Sequence, residues 1–439
     1  MTPTPVDLLI EARWIIPVEP DDTTLDHHAV AVSDGRIVAI LPTAEARNRY
    51  IAKRTVSLPE HVLIPGLVNL HCHAAMTLMR GLADDLPLMR WLQEAIWPAE
   101  ARHVSHAFVR DGSLLAAAEM LRGGITTCND MYFFPEASAE AFDRLGLRAV
   151  IGITVLEFPS QYAADADDYL RKGLAAHDAW RGHPLIRFAL APHAPYTVAN
   201  STFERVGSLA EELELPIHIH LHETASEIAD SLRDFGQRPI ARLDSLGLLG
   251  PNLIGVHAVH LAEEDIQRLT VHRCNVAHCP TSNMKLASGA APAARLLDQG
   301  LAVGLGSDGA ASNNRLDLFR EMHQASLLAK LSTGDASALP SRSVLRMATL
   351  DGARALGLDT EVGSLLPGKA ADICAVPIDA PDDLPCFDPV SHLVHVLGRH
   401  AVSDVWVAGQ QRVEHGKLLQ ITNTELLGVA RLWQNKLHQ

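Results

Sequence analysis

Along the chain, short runs of β-branched and apolar residues alternate with longer stretches of helical spacing, and the two ends read differently from the middle. Near the amino terminus, Val30-Ala31-Val32 and Ile37-Val38-Ala39-Ile40 flank Asp34-Gly35. That dipeptide tolerates the positive φ angles of a tight hairpin turn. The last seventy residues carry similar strand-like runs, Ala371 to Val376 and Val405 to Gly409, punctuated by Gly and Pro. The pattern predicts a small β-sandwich domain assembled from both ends, residues 1–64 and 366–439. Between them, residues 65–365 repeat strand and helix, with strands ending near His73, Asp130, Leu156, His193, His222, His260, Cys279 and Asp308. Phe108 to Leu121 and Phe203 to Leu213 are two of the intervening helical stretches. Eight such units predict an α/β fold, a closed (β/α)8 TIM-type barrel.

The bulk numbers agree with that division. A barrel of about 250 residues or more plus a small domain accounts for 439 residues. Hydrophobic residues at 47% and charged residues at 20% give a globular balance with a sizeable core. The formal net charge is −15, and no dense Lys/Arg run is present, which excludes nucleic acid as the expected partner. No apolar stretch reaches the roughly 18 residues that span a bilayer. Met1 to Pro20 lacks the basic start and apolar block of a signal peptide. The six cysteines form no paired framework and read as reduced thiols. A cytoplasmic homo-oligomer acting on a small molecule is expected.

Ionisable residues change the picture, because they gather at the predicted strand ends. His71 and His73 stand two apart at the end of the first barrel strand, so one face can carry both imidazoles. His218, His220 and His222 alternate at the end of the fifth strand, His257 and His260 close the sixth, and Asp308 ends the eighth. Active sites of such barrels sit at the carboxyl ends of the strands. Imidazoles and a carboxylate converging there indicate a metal site, with Zn2+ suited to the donor set and Fe2+ an alternative. Spacing alone leaves open which of the three fifth-strand histidines is the ligand. His103, His106, His177, His183, His323 and His400 read as ordinary core or surface residues.

These motifs carry a resemblance. Pro65-Gly66-Leu67-Val68-Asn69-Leu70-His71-Cys72-His73, Ile219-His220-Leu221-His222-Glu223, the Gly-Ser-Asp-Gly segment at Asp308 and Gly363 to Asp372 resemble the amidohydrolase superfamily over nearly the whole chain. Ala74 to Gly81 and Ser307 to Asn314 are similar to the methylthioadenosine/S-adenosylhomocysteine deaminases and their chlorohydrolase relatives. The resemblance implies one metal held by His71, His73, His220 and Asp308, with Glu223 as proton shuttle and His257 orienting the attacking water. It further implies substrate contacts from Glu100 and His193, and from Glu223 and Asp308. The implied reaction is hydrolytic deamination of an adenosine-type nucleoside to the inosine-type product and ammonia. Zinc makes water nucleophilic near neutral pH, and one carboxyl can relay protons to N1 and to the departing amine. Glu100 offers two oxygens to ribose hydroxyls.

Two departures refine the expectation. No lysine stands at the end of the fourth strand, where two-metal relatives carry one; His193 is there instead, which favours a single metal. Gly152-Ile153-Thr154-Val155 offers no arginine at the third strand, so methylthioadenosine is favoured over the longer S-adenosylhomocysteine. Met76, Leu88, Trp91 and Trp97 are candidates to shelter its methylthio group. Gly304-Leu305-Gly306-Ser307-Asp308-Gly309 spells a dinucleotide fingerprint, but a helical stretch, Leu316 to Lys330, follows where the motif needs a strand. Rival readings are another heteroaromatic ring (guanine, 8-oxoguanine, cytosine or an s-triazine), a cyclic amide, or a binding protein without activity.

Overall fold

The computed structural model describes residues 3–438. Two eight-stranded sheets organise it. The first is built from both ends of the chain: β1 (Thr4–Ile15), β2 (Leu25–Ser33), β3 (Arg36–Pro42) and β4 (Tyr50–Pro65). The barrel strands β5 (Leu67–Cys72), β6 (Ile125–Tyr132), β7 (Arg148–Val155) and β8 (Ile186–Pro192) come next. They are followed by β9 (Ile217–Leu221), β10 (Leu253–His257), β11 (Asn275–His278) and β12 (Val303–Leu305). The chain then returns to the first sheet with β13 (Ile373–Pro377), β14 (Asp404–Val407), β15 (Gln410–Glu414) and β16 (Lys417–Leu418).

In the terminal sheet the order is β16-β15-β14-β13-β4-β1-β2-β3. The β2–β3 hairpin turns at Asp34 and Gly35, both at positive φ (51° and 73°), as that dipeptide suggests. Along β1, Leu8 and Ile10 join a cluster with Val30, Leu63 and Trp406, while Leu9 on the other face packs with Ala31 and Ala46. Both faces of this sheet are therefore covered.

The barrel strands are parallel and run in sequence order from β5 to β12. Most are buried along their whole length, because helices cover the outside and side chains fill the inside. In β9, Ile217, Ile219 and Leu221 join a cluster with the helical residues Phe203, Val206, Ile240 and Leu243. His218 and His220 take the opposite face, where they meet His71. The Asp308 amide closes the ring, donating to the His71 carbonyl at 3.0 Å.

Some elements differ from the sequence pattern. The sixth strand stops at His257, and His260 lies beyond it, its Nε2 within 2.8 Å of the Ser288 carbonyl. The carboxyl-terminal segment holds helices as well as strands, Pro389–His395 and Asn423–Leu437. The second leaves the terminal sheet and packs on the barrel, where the Trp433 indole N–H donates to Asp111 Oδ2 at 2.9 Å. Among the described residues no helix is long and apolar enough to cross a membrane.

A buried ion pair joins the two sheets. Arg148, opening β7, donates from Nε and Nη2 to the two oxygens of Asp372 at 3.2 and 3.1 Å. Asp372 also accepts the Ala408 amide at 2.7 Å. Removing one partner of a buried pair strands the other charge and costs about 3–5 kcal/mol. Asp372→Ala is therefore expected to lower the denaturant midpoint clearly, and an unchanged midpoint would show that the pair contributes nothing.

Candidate metal centre and active site

Two strands and the segments just beyond two strand ends bring four donors to one point. His71 ends β5 and is fully buried; His73 follows it, His220 sits on β9, and Asp308 lies beyond β12. Asp308 Oδ1 is 3.3 Å from His71 Nε2 and 3.3 Å from His73 Nε2. His220 Nε2 is likewise 3.3 Å from His73 Nε2. A tetrahedron with arms of about 2.0–2.1 Å, the usual zinc–nitrogen length, has edges of about 3.3–3.4 Å. The donor set thus has the size of a zinc cage.

The far nitrogens explain why these imidazoles face inward as lone-pair donors. His73 Nδ1 lies 2.6 Å from the Met131 carbonyl and His220 Nδ1 lies 2.8 Å from the His193 carbonyl. A carbonyl only accepts, so each Nδ1 carries the proton and each Nε2 is left with its lone pair. His71 Nδ1 pairs with His218 Nε2 at 2.9 Å, while its buried Nε2 makes no hydrogen bond. An orphaned buried nitrogen is costly unless something completes it. A cation at the common point does so.

Electrostatics favour the ligand forms. Burial pushes His71 down to about 4 and holds His220 well below the usual imidazole range, so both are neutral. Burial opposes ionisation of Asp308, yet the surrounding imidazoles, His71 first and then His73 and His257, keep its carboxyl well below the usual carboxylate range. Its Oδ2 accepts the Ser282 and Ser312 hydroxyls at 2.5 and 2.7 Å, and the Gly309 amide donates to Oδ1 at 2.7 Å. The residues present fit a single zinc ion.

His257 and Glu223 flank the same point. His257 can form a second donor grouping with His71 and His220. Its Nδ1 lies 2.8 Å from Asn283 Oδ1, and its Nε2 is 3.8 Å from Glu223 Oε2. Burial raises the Glu223 carboxyl above its ordinary value. For His257, burial works against the proton, but the facing Glu223 and Asp308 carboxylates raise its pKa. Among the fifth-strand histidines, His218 is locked to His71, and His222 turns away to accept the Ile240 amide at 3.1 Å.

A cavity of about 580 Å3 opens over these groups. Glu100, on the helix Trp97–His103, lines it, accepts the Tyr132 hydroxyl at 2.7 Å, and is pushed by burial up to about 7. His193 lines it too; its Nδ1 is 3.1 Å from Thr197 Oγ1, and burial lowers its pKa to about 3. Met76, Leu88, Trp91 and Trp97 all lie on the wall, and Trp97 meets Phe158 edge-on at 6.5 Å. No lysine or arginine is among the described lining residues.

The sequence reading did not find Ser282, Ser312, Asn283 or Tyr132. Their only signal was placement at a strand's last residue (Tyr132) or in the loops beyond strand ends, where the barrel rule puts functional groups.

Residues 62–412 match the model of the amidohydrolase family. A 5-methylthioadenosine/S-adenosylhomocysteine deaminase from Saccharophagus degradans is 47% identical over 99% of this chain and 97% of its own. The protein of the same name from Teredinibacter turnerae is 46% identical, covering 99% and 98%. Among solved structures, an adenosine deaminase from Xanthomonas campestris with bound zinc superposes with a TM-score of 0.98 at 48% identity, covering 99% of each chain.

Replacing His73 or Asp308 by Ala removes one of four cage donors. Metal analysis of the purified variants is expected to fall from one zinc per chain to a small fraction, because a site short of one ligand binds the ion far more weakly. Full zinc content in either variant would show that the residue is not a ligand.

Proposed function

Because the chain belongs to the amidohydrolase family, we propose that it deaminates an adenosine-type nucleoside by hydrolysis, with 5'-methylthioadenosine as its preferred substrate. The observation that carries this reading is the joining of a four-donor metal cage, an acid–base pair and a largely apolar cavity at one barrel end. The activities named for the similar proteins support the same choice of ring. Zinc held by His71, His73, His220 and Asp308 supplies the Lewis acidity that makes water a nucleophile near neutral pH.

The chain's own residues do the rest. His257, tied through Nδ1 to Asn283, presents Nε2 to the point where water attacks C6 of the purine. Asp308, fixed by two serine hydroxyls, accepts a proton from that water. Attack makes C6 tetrahedral and shifts electron density onto N1. Glu223, its carboxyl raised by burial, delivers a proton to N1, then takes the proton of the C6 hydroxyl and passes it to the leaving amine. Ammonia departs and the C6 carbonyl forms.

Glu100 and His193 bind the substrate around this centre. The Glu100 carboxylate accepts from ribose hydroxyls, a role that selects a nucleoside over a free base. The wall of Met76, Leu88, Trp91 and Trp97, without a lysine or arginine, suits a neutral thioether at the 5' position. The carboxylate of the S-adenosylhomocysteine tail finds no lysine or arginine among the described lining residues, and an unpaired charge is poorly tolerated out of water. All six cysteines are free and five are buried, consistent with a reduced, cytoplasmic enzyme.

Ammonia release assayed across adenosine, 5'-methylthioadenosine, S-adenosylhomocysteine, guanine and cytosine tests the reading. Methylthioadenosine is expected to give the highest kcat/KM, about tenfold or more above S-adenosylhomocysteine, a difference of about 1.4 kcal/mol. Turnover of free bases alone would overturn it. Glu223→Gln is expected to lower kcat by about 10²–10⁴-fold, the usual weight of general acid–base catalysis. Glu100→Gln is expected to impair nucleosides selectively; equal losses on a nucleoside and on its free base would remove the ribose role.

A further inference from the structure

Between the ligand His220 and the acid Glu223, the chain makes a turn that a strand would not make by itself. His222 lies at φ +55°, a left-handed conformation that costs a non-glycine residue about 1 kcal/mol or more. The helix Ala225–Phe235 follows directly, with Thr224 as its cap: the Thr224 hydroxyl accepts the Glu227 amide at 3.3 Å. Thr224 and Glu227 have the spacing of a capping box, in which the glutamate would reach back to the amide of the cap residue itself.

Glu227 does something else. One of its carboxyl oxygens accepts the His222 amide at 2.9 Å and the other accepts the Glu223 amide at 2.8 Å. Both oxygens are spent on consecutive amides just ahead of the cap. Successive backbone amides around an anion form a nest, and here the anion comes from the chain itself. Glu227 is 5% exposed. Burial pushes its carboxyl up to about 7 despite the two amide bonds, so the group sits there against its own solvation preference.

We propose that Glu227 is a positioning residue for proton transfer: by holding the His222 and Glu223 amides it fixes the left-handed turn that aims the Glu223 carboxyl into the cavity. The inference rests on the shuttle role given to Glu223 above. A carboxyl that must reach two proton sites in turn tolerates little displacement; a misplacement of about 1 Å can cost up to 10²-fold in rate. Glu227 itself does not line the cavity. Its two amide bonds reach the reaction through the turn, while its charge adds a smaller contribution, behind Glu223 and Asp308, to the raised pKa of His257.

The zinc-loaded enzyme with Glu227→Gln tests this. Glutamine offers one acceptor oxygen, and its NH2 group meets an N–H donor at the other amide. The expected result is a kcat about 10–100-fold lower on methylthioadenosine, with KM within about threefold and zinc still one per chain. In a Glu223→Gln background the same substitution is expected to change kcat by less than about threefold, since the group it positions is already gone. A crystal structure of the single variant is expected to show the Glu223 carboxyl moved by about 1 Å or more.

Wild-type-like kcat in Glu227→Gln, an equal loss in both backgrounds, or an unmoved Glu223 overturns the proposal. If Glu227→Gln fails to fold, Glu227→Asp, with the charge kept and the reach shortened by one carbon, carries the same cycle and the same crystal comparison. A wild-type enzyme inert on every nucleoside would instead overturn the deaminase reading, and the Glu223 position in the variant crystal would still decide the role of the turn.

Discussion

The structure depends on one buried point at which three imidazoles and one ionised carboxylate meet. Each ligand is fixed from behind. The Met131 and His193 carbonyls hold His73 and His220, His218 holds His71, and two serine hydroxyls hold Asp308. These partners come from different strands and loops, so the cage exists only once the barrel is closed. Closure itself passes through the site, since the bond from the Asp308 amide to the His71 carbonyl links the last strand to the first. A metal held at this point would couple its binding to folding.

The same end of the barrel holds a concentration of left-handed backbone. His222, His257 and Asp308, after the fifth strand, at the end of the sixth and after the eighth, have φ of +55°, +74° and +57°. None is glycine, and each such residue costs about 1–3 kcal/mol, which surrounding contacts must offset. The contacts are visible: Val259 and His260 amides bond the His222 carbonyl at 3.0 and 2.9 Å, and the Asn283 side chain holds His257. A left-handed residue at a strand end turns the chain sharply. It lets side chains near the turn project over the barrel mouth instead of continuing the strand's alternation.

Much of this was legible in the sequence, for a physical reason. Parallel strands buried on both faces read as continuous apolar runs, so the histidines that interrupt them stood out. Choosing among His218, His220 and His222 was not legible from spacing. What separates them is partners: His218 bonds His71 and His222 accepts the Ile240 amide, 18 residues away. The carboxyl-terminal helix was hidden because its stabilising contact, Trp433 to Asp111, spans 322 residues. The dinucleotide-like glycine pattern has a packing cause. A Cβ at Gly304 would sit 2.7 Å from the Leu70 side chain, at Gly306 2.9 Å from His71 Cβ, and at Gly309 3.0 Å from Met76 Sδ. These glycines let the last strand and its loop approach the first strand and its metal ligands closely, and phosphate binding plays no part.

Chemistry and selectivity are carried by different parts of the chain. The donors and the acid–base pair come from strand ends, which the barrel holds rigidly. The apolar wall comes from the segment after β5, where Met76, Leu88, Trp91 and Trp97 lie on short helical turns. That segment has its own small core, which joins Met76, Trp91 and Ile96 to Phe108 and Trp433. Trp433 meets Phe108 edge-on at 5.2 Å, so the end of the chain braces the wall from outside. With the two parts held by separate cores, the side chains of the wall can change without moving the cage. On the proposed function, substrate preference is then set by side chains that lie away from the four donors.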